Sequence, residues 1–175
     1  MKKNYLLLLI ILVSCDSESF IPENIKSAFP VDYYKIDDTL NLSLKINGEI
    51  KDSISLIINK NEIENGTVHD YVFGSSHDME IYSFEASSSD NKQQIQFYYT
   101  SMDNLFEGYL NLNKVTFSIE IIEKKIDSIV IENKLYKNLY LLKSEYYENT
   151  YAYLSNESGI IKIVNDSIEF VSVNN

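Results

Sequence analysis

Arginine and tryptophan are absent from this 175-residue chain, and it holds only one cysteine, two prolines and two histidines. All 15 basic residues are therefore lysines, set against 26 acidic ones, for a formal charge of −11. Without arginine there is no planar fork to grip a phosphate or a guanine edge. With that charge there is no basic patch, which argues against nucleic acid as a partner. A lone cysteine closes no disulfide within the chain, so packing must hold the core. No Gly-rich phosphate loop, zinc spacing, EF-hand loop or carboxylate pair stands out, and no cofactor is expected. No repeat of fixed period appears, which disfavours a propeller or solenoid. What remains is a chain that is 45% hydrophobic, too apolar for disorder and long enough for one domain with a real core.

The single cysteine lies at the end of a short leader. Lys2 and Lys3 precede an apolar run from Tyr5 to Val13, followed by Ser14 and Cys15. The run falls short of the roughly 20 residues that cross a bilayer and has the size of a signal-peptide core. Leu12-Val13-Ser14-Cys15 resembles the bacterial lipobox, in which the cysteine is acylated and becomes the new N-terminus. The resemblance implies a signal peptide over 1–14 and a lipid on Cys15. It also implies residence in the cell envelope, at the outer membrane, on its periplasmic or surface face. Loss of the leader's two lysines takes the formal charge from −11 to −13. Adhesion to anionic lipid headgroups is then disfavoured, and the acyl chains must do the anchoring. Asp16-Ser17-Glu18-Ser19 reads as the start of a flexible tether over 15–30, and it resembles the acidic export signal of Bacteroidota-type surface lipoproteins.

Beyond Pro30, over 31–175, the pattern is that of a single antiparallel β domain. Leu40, Leu42, Leu44 and Ile46 alternate with polar residues, as do Ile54, Leu56 and Ile58, then Ile95, Phe97 and Tyr99, then Val115, Phe117, Ile119 and Ile121. About ten strands with short connections predict an all-β sandwich or a curled, half-barrel sheet. One short helix is expected at most, near 102–110, with Asp103 at its start.

Two turns fix predicted registers. Asn47-Gly48 is a strong two-residue hairpin signal, but a regular ladder from it would set Leu44 opposite Lys51. Restoring Leu42 to Ile54 and Leu40 to Leu56 requires a β-bulge between Glu49 and Ser53. At the C-terminus, a turn at Asn165-Asp166 predicts Ile163 opposite Ile168 and Lys162 opposite Glu169. Pairing Leu154 with Ile160 then gives one apolar face of Tyr151, Tyr153, Ile161, Ile163, Ile168 and Phe170.

Site candidates are sparse. His69-Asp70 and His77-Asp78, with Glu80, are weak candidates for a metal site or a hydrolase centre, against a reading as solvated histidines at strand ends. Ser76-His77-Asp78 holds the residue types of a triad, but neighbours on a strand point to opposite faces. No metal and no catalytic residue is assigned, and the chain is read as no enzyme. Among paired tyrosines, one ring faces outward, and Tyr98, Tyr146 and Tyr147 are the candidates to stack on a glycan or an envelope protein. Four tripeptides of the form Asp, hydroxyl residue, aliphatic resemble the O-glycosylation acceptor of exported Bacteroidota-type proteins. They put Thr39, Ser53, Ser128 and Ser167 as acceptors, against a reading as strand-opening turns.

The last third, with Leu135-Tyr136-Lys137-Asn138-Leu139-Tyr140, Tyr151-Ala152-Tyr153 and Gly159-Ile160-Ile161-Lys162, resembles the tail of small Bacteroidota-type lipoproteins. The match covers about fifty residues, and that family has no assigned activity to carry over. The expectation is an envelope lipoprotein acting as a non-enzymatic binding or structural module. The alternatives are a carrier enclosing an apolar ligand in a curled sheet, as in lipoprotein sorting, and a metal-dependent hydrolase.

Overall fold

A computed structural model describes residues 29–70, 75–101 and 105–173. The leader, Cys15 and most of the tether lie outside that range. Among the described residues, eleven strands follow in order: β1 (Thr39–Ile46), β2 (Glu49–Asp70), β3 (Ser75–Ser87), β4 (Gln94–Thr100), β5 (Leu105–Leu112), β6 (Val115–Ile119), β7 (Ile121–Ile131), β8 (Lys134–Lys143), β9 (Thr150–Ser155), β10 (Gly159–Asn165) and β11 (Ile168–Ser172). They form one antiparallel sheet in the order β6-β5-β4-β3-β2-β1-β11-β10-β9-β8-β7. Its two edge strands, β6 and β7, are neighbours in the chain, separated by Glu120 alone. The meander therefore curls until its edges meet, giving a nearly closed barrel. Glu120 is the corner: Phe117 and Ile119 are buried before it, and Ile122 rather than Ile121 after it.

The β1–β2 hairpin has the predicted bulge. Asn47 and Gly48 both take positive φ, 53° and 81°, as a two-residue primed turn requires. Ile46 faces Glu49 and Lys45 faces Ile50, the register shifts, and Leu44, Leu42 and Leu40 face Asp52, Ile54 and Leu56. The shift keeps all three leucines inside the barrel.

The expected helix near 102–110 is not formed: Leu105–Leu112 is β5, paired on both sides with β4 and β6. Residues 102–104 lie outside the described range. Phe106, Leu110 and Leu112 point inward, and Gly108 takes the inward position between them. A Cβ there would lie 3.1 Å from the Phe97 ring and from the Ile119 carbonyl oxygen. The ring fills the place of a side chain, so the apolar alternation breaks in the sequence although the strand continues.

The C-terminal meander differs in register from the prediction. Ile163 faces Phe170, not Ile168, and the turn is Asp166-Ser167. Lys162 and Glu169 still pair, diagonally, at 2.8 Å. Leu154 faces Ile160 as expected, but a bulge follows and Tyr153 then faces Lys162. Ala152, Leu154, Ile160, Ile163 and Phe170 consequently point into the barrel, whereas Ile161 joins a second, smaller cluster with Ile131, Tyr136 and Leu139. Tyr153 packs on that second cluster, so its predicted inward orientation is reversed.

The second cluster exists because the β7–β8 hairpin outruns its neighbour. β8 pairs with β9 only over Leu139–Lys143. Beyond Asn138, whose φ is 51°, the outer half of the hairpin packs on Tyr153 of β9 and Ile161 of β10. Its tip reaches β1, where Lys45 Nζ meets Glu132 Oε2 at 2.7 Å.

One end of the barrel is closed by the segment before β1. The Phe29 ring stacks on Tyr82 at 4.5 Å between centroids, with Tyr99 and Phe106 at 5.3 and 5.9 Å. The Asn61 amide donates to the carbonyls of Pro30, Val31 and Tyr34, and its oxygen accepts from the Tyr82 hydroxyl. The Tyr34 hydroxyl accepts from Ile160 N at 2.9 Å, over Gly159. Burial holds that phenol well above its ordinary range, so it stays neutral. Phe29 is thus a core residue, and the folded body begins at least there.

Candidate functional site

Because Ile95, Phe97 and Tyr99 of β4 face inward, Gln96 and Tyr98 face out. The ladders place two rows of outward residues side by side. Ser83, Tyr98 and Glu107 form one row; Glu85, Gln96, Tyr109 and Ser118 form the next. A groove of about 480 Å³ runs over them, bounded by Glu120 and Tyr146.

Glu120 builds one wall of that groove. Its Oε2 accepts from Ser144 Oγ at 3.1 Å and from Glu145 N at 3.0 Å, while its own N–H donates to the Lys143 carbonyl at 3.0 Å. Tyr146 N donates to Ser144 Oγ at 3.2 Å. These bonds fix the base of the β8–β9 loop beside β6, and Tyr146 stands over the groove. The three tyrosines are open to solvent: Tyr98 is 38% exposed, Tyr109 41% and Tyr146 74%. Among the described residues no lysine or histidine lines the groove, which carries Glu85, Glu107 and Glu120. Ring faces beside hydrogen-bond acceptors suit recognition of a polar ligand, and the carboxylates repel an anionic one.

Of the tyrosines singled out from the sequence, Tyr98 and Tyr146 meet in this groove; Tyr147 is exposed but does not line it. Tyr109, Glu85 and Glu107 escaped the sequence reading, because their placement needs the β3–β4–β5 register. The hydroxyl residues Thr39, Ser53, Ser128 and Ser167 are all exposed, Thr39 opening β1 and Ser167 in the β10–β11 turn.

The two histidines lie on the projecting end of the β2–β3 hairpin. The register sets His69 opposite Ser76 and His77 opposite Val68, so they are not cross-strand partners. Asp78 accepts from the Thr67 hydroxyl at 3.4 Å. Among the described residues, no group of three or more His, Cys, Asp or Glu side chains can hold a metal. No helix among them is long and apolar enough to cross a membrane. An apolar carrier needs a lined void, and the rings of Phe29, Tyr82, Tyr99 and Phe106 fill one end of this interior. Against known proteins, the chain matches no family model, no curated protein and no solved structure.

Proposed function

We propose that this protein is a lipid-anchored, non-enzymatic binding module of the bacterial envelope, working through the tyrosine-lined groove on the outer wall of its barrel. The observation that carries the reading is the meeting of Tyr98, Tyr109 and Tyr146 in one concave surface. Exposed aromatic residues gathered in a concavity are the usual anchors of recognition. Anchoring rests on the lipobox-like Leu12-Val13-Ser14-Cys15. The fourteen residue-to-residue steps from Cys15 to Phe29 span at most about 50 Å, so the groove works close to the membrane surface. The partner is an envelope protein or a glycan.

The experiment has two arms. Palmitate labelling should mark wild type and spare Cys15→Ala; an unlabelled wild type refutes the anchor. Native acylated protein should retain an envelope component that Tyr98→Ala/Tyr146→Ala does not. Equal retention by both removes the groove from the function.

A further inference from the structure

Resting on the reading of the groove as a binding surface, we infer that its occupant is a basic, extended segment of another protein, carrying lysine or arginine side chains about four residues apart. Charge complementarity carries this. Glu85, Glu107 and Glu120 line the groove, and among the described residues no lysine or histidine does. Exposed Glu145 and Glu148 flank Tyr146 on the adjoining loop. The lysine that begins this loop is turned away: Lys143 Nζ pairs with Glu123 at 2.8 Å. The charge is therefore left for a partner to neutralise.

Spacing narrows the partner further. Glu85 on β3 and Glu107 on β5 are two strands apart laterally and two residues apart along the ladder. Strand spacing and rise put their backbones about 12 Å apart. An extended peptide covers about 13 Å between residues i and i+4. Two cations at that separation reach both carboxylates while the backbone between them crosses β4 at Gln96 and Tyr98. The Tyr98 and Tyr109 rings flank this path, and ammonium or guanidinium groups within about 6 Å of a ring face gain a cation–π contribution. A neutral glycan would use the same rings but gain nothing from the charge.

The test uses the purified full chain and three probes followed by calorimetric titration: acetyl-Gly-Lys-Gly-Gly-Gly-Lys-Gly-amide, the same peptide with glutamate for lysine, and a neutral hexasaccharide. The lysine peptide should bind and the glutamate peptide should not. Glu85→Gln/Glu107→Gln should weaken binding about tenfold, as expected for two partly solvated ion pairs. Asp52→Asn/Asp166→Asn, which removes two charges outside the groove, should leave it unchanged. Raising salt from 0.1 to 1 M, where the screening length falls from about 10 to 3 Å, should weaken it too. Equal weakening by both variant pairs overturns the inference, since the attraction is then net charge alone. Saccharide binding that ignores salt and the glutamine variants overturns it while leaving the groove as a binding site. Retention of an envelope component that still requires Tyr98 and Tyr146, without binding of the lysine peptide, does the same. Loss of every response fails both readings.

Discussion

Replacing Asn61 by alanine should loosen the end of the barrel that Phe29 closes. The Asn61 side chain bonds the Pro30, Val31 and Tyr34 carbonyls at 3.1, 3.0 and 2.8 Å and accepts from Tyr82 Oη at 3.1 Å. Each such bond contributes about 0.5–1.5 kcal/mol net, and a buried hydroxyl left without a partner costs about 1–3 kcal/mol. Tyr82 is fully buried. The sum is a loss of at least about 3 kcal/mol. With urea slopes of about 1–3 kcal/mol per molar, the midpoint should fall by at least about 1 M. A double-mutant cycle with Tyr82→Phe sharpens the test. Tyr82→Phe alone should cost about 1 kcal/mol, yet in the Asn61→Ala background it should be neutral or stabilising, because the orphaned hydroxyl goes with it. Urea melts followed by circular dichroism give all four corners. Strict additivity, or an Asn61→Ala midpoint matching wild type, would refute this account of the closure.

Other sites offer independent checks. Gly159 has φ of 69°, and a side chain there would overlap the Tyr34 ring and hydroxyl. Gly159→Ala should lose at least about 2 kcal/mol in denaturant melts, falling to the backbone strain of about 1 kcal/mol once Tyr34→Ala makes room. The folded-back β7–β8 hairpin should depend on its apolar cluster more than on its ion pair: Ile161→Ala should cost about 2–4 kcal/mol and Glu132→Gln no more than about 1 kcal/mol, with the latter vanishing in high salt. If the acceptor-like tripeptides are used, the intact mass of protein from its own host should exceed that of the acylated chain by whole sugar increments, and the excess should shrink as Thr39, Ser53, Ser128 and Ser167 are replaced by alanine.

What the sequence makes legible depends on how many constraints act on one segment. In β1–β2, the Asn47-Gly48 turn fixes one end and the leucines fix the other, so the intervening bulge follows by subtraction. At β10–β11, Asn165-Asp166 and Asp166-Ser167 are both acceptable turns, and the Lys162–Glu169 pair tolerates either because lysine reaches diagonally. The outward turn of Ile161 answers to a hairpin folded over it, which comes from elsewhere in the chain and leaves no mark in the local pattern. β5 was hidden because Gly108 vacates an inward position for the Phe97 ring. The groove was half visible for the same reason. Tyr98 is legible as the outward member of a strand pair, but Tyr146 and Tyr147 stand in a loop with both rings exposed, and Tyr109 and Glu107 lie on the strand whose alternation Gly108 interrupts.

Binding at the outer wall is the claim most exposed to a direct measurement. A photoreactive phenylalanine analogue at position 98 of the acylated protein, activated in intact envelopes, should form a discrete covalent adduct with a partner, and the same analogue at Ser53 on β2, away from the groove, should form none. Adducts of equal yield from both positions, or none from position 98, would contradict the account.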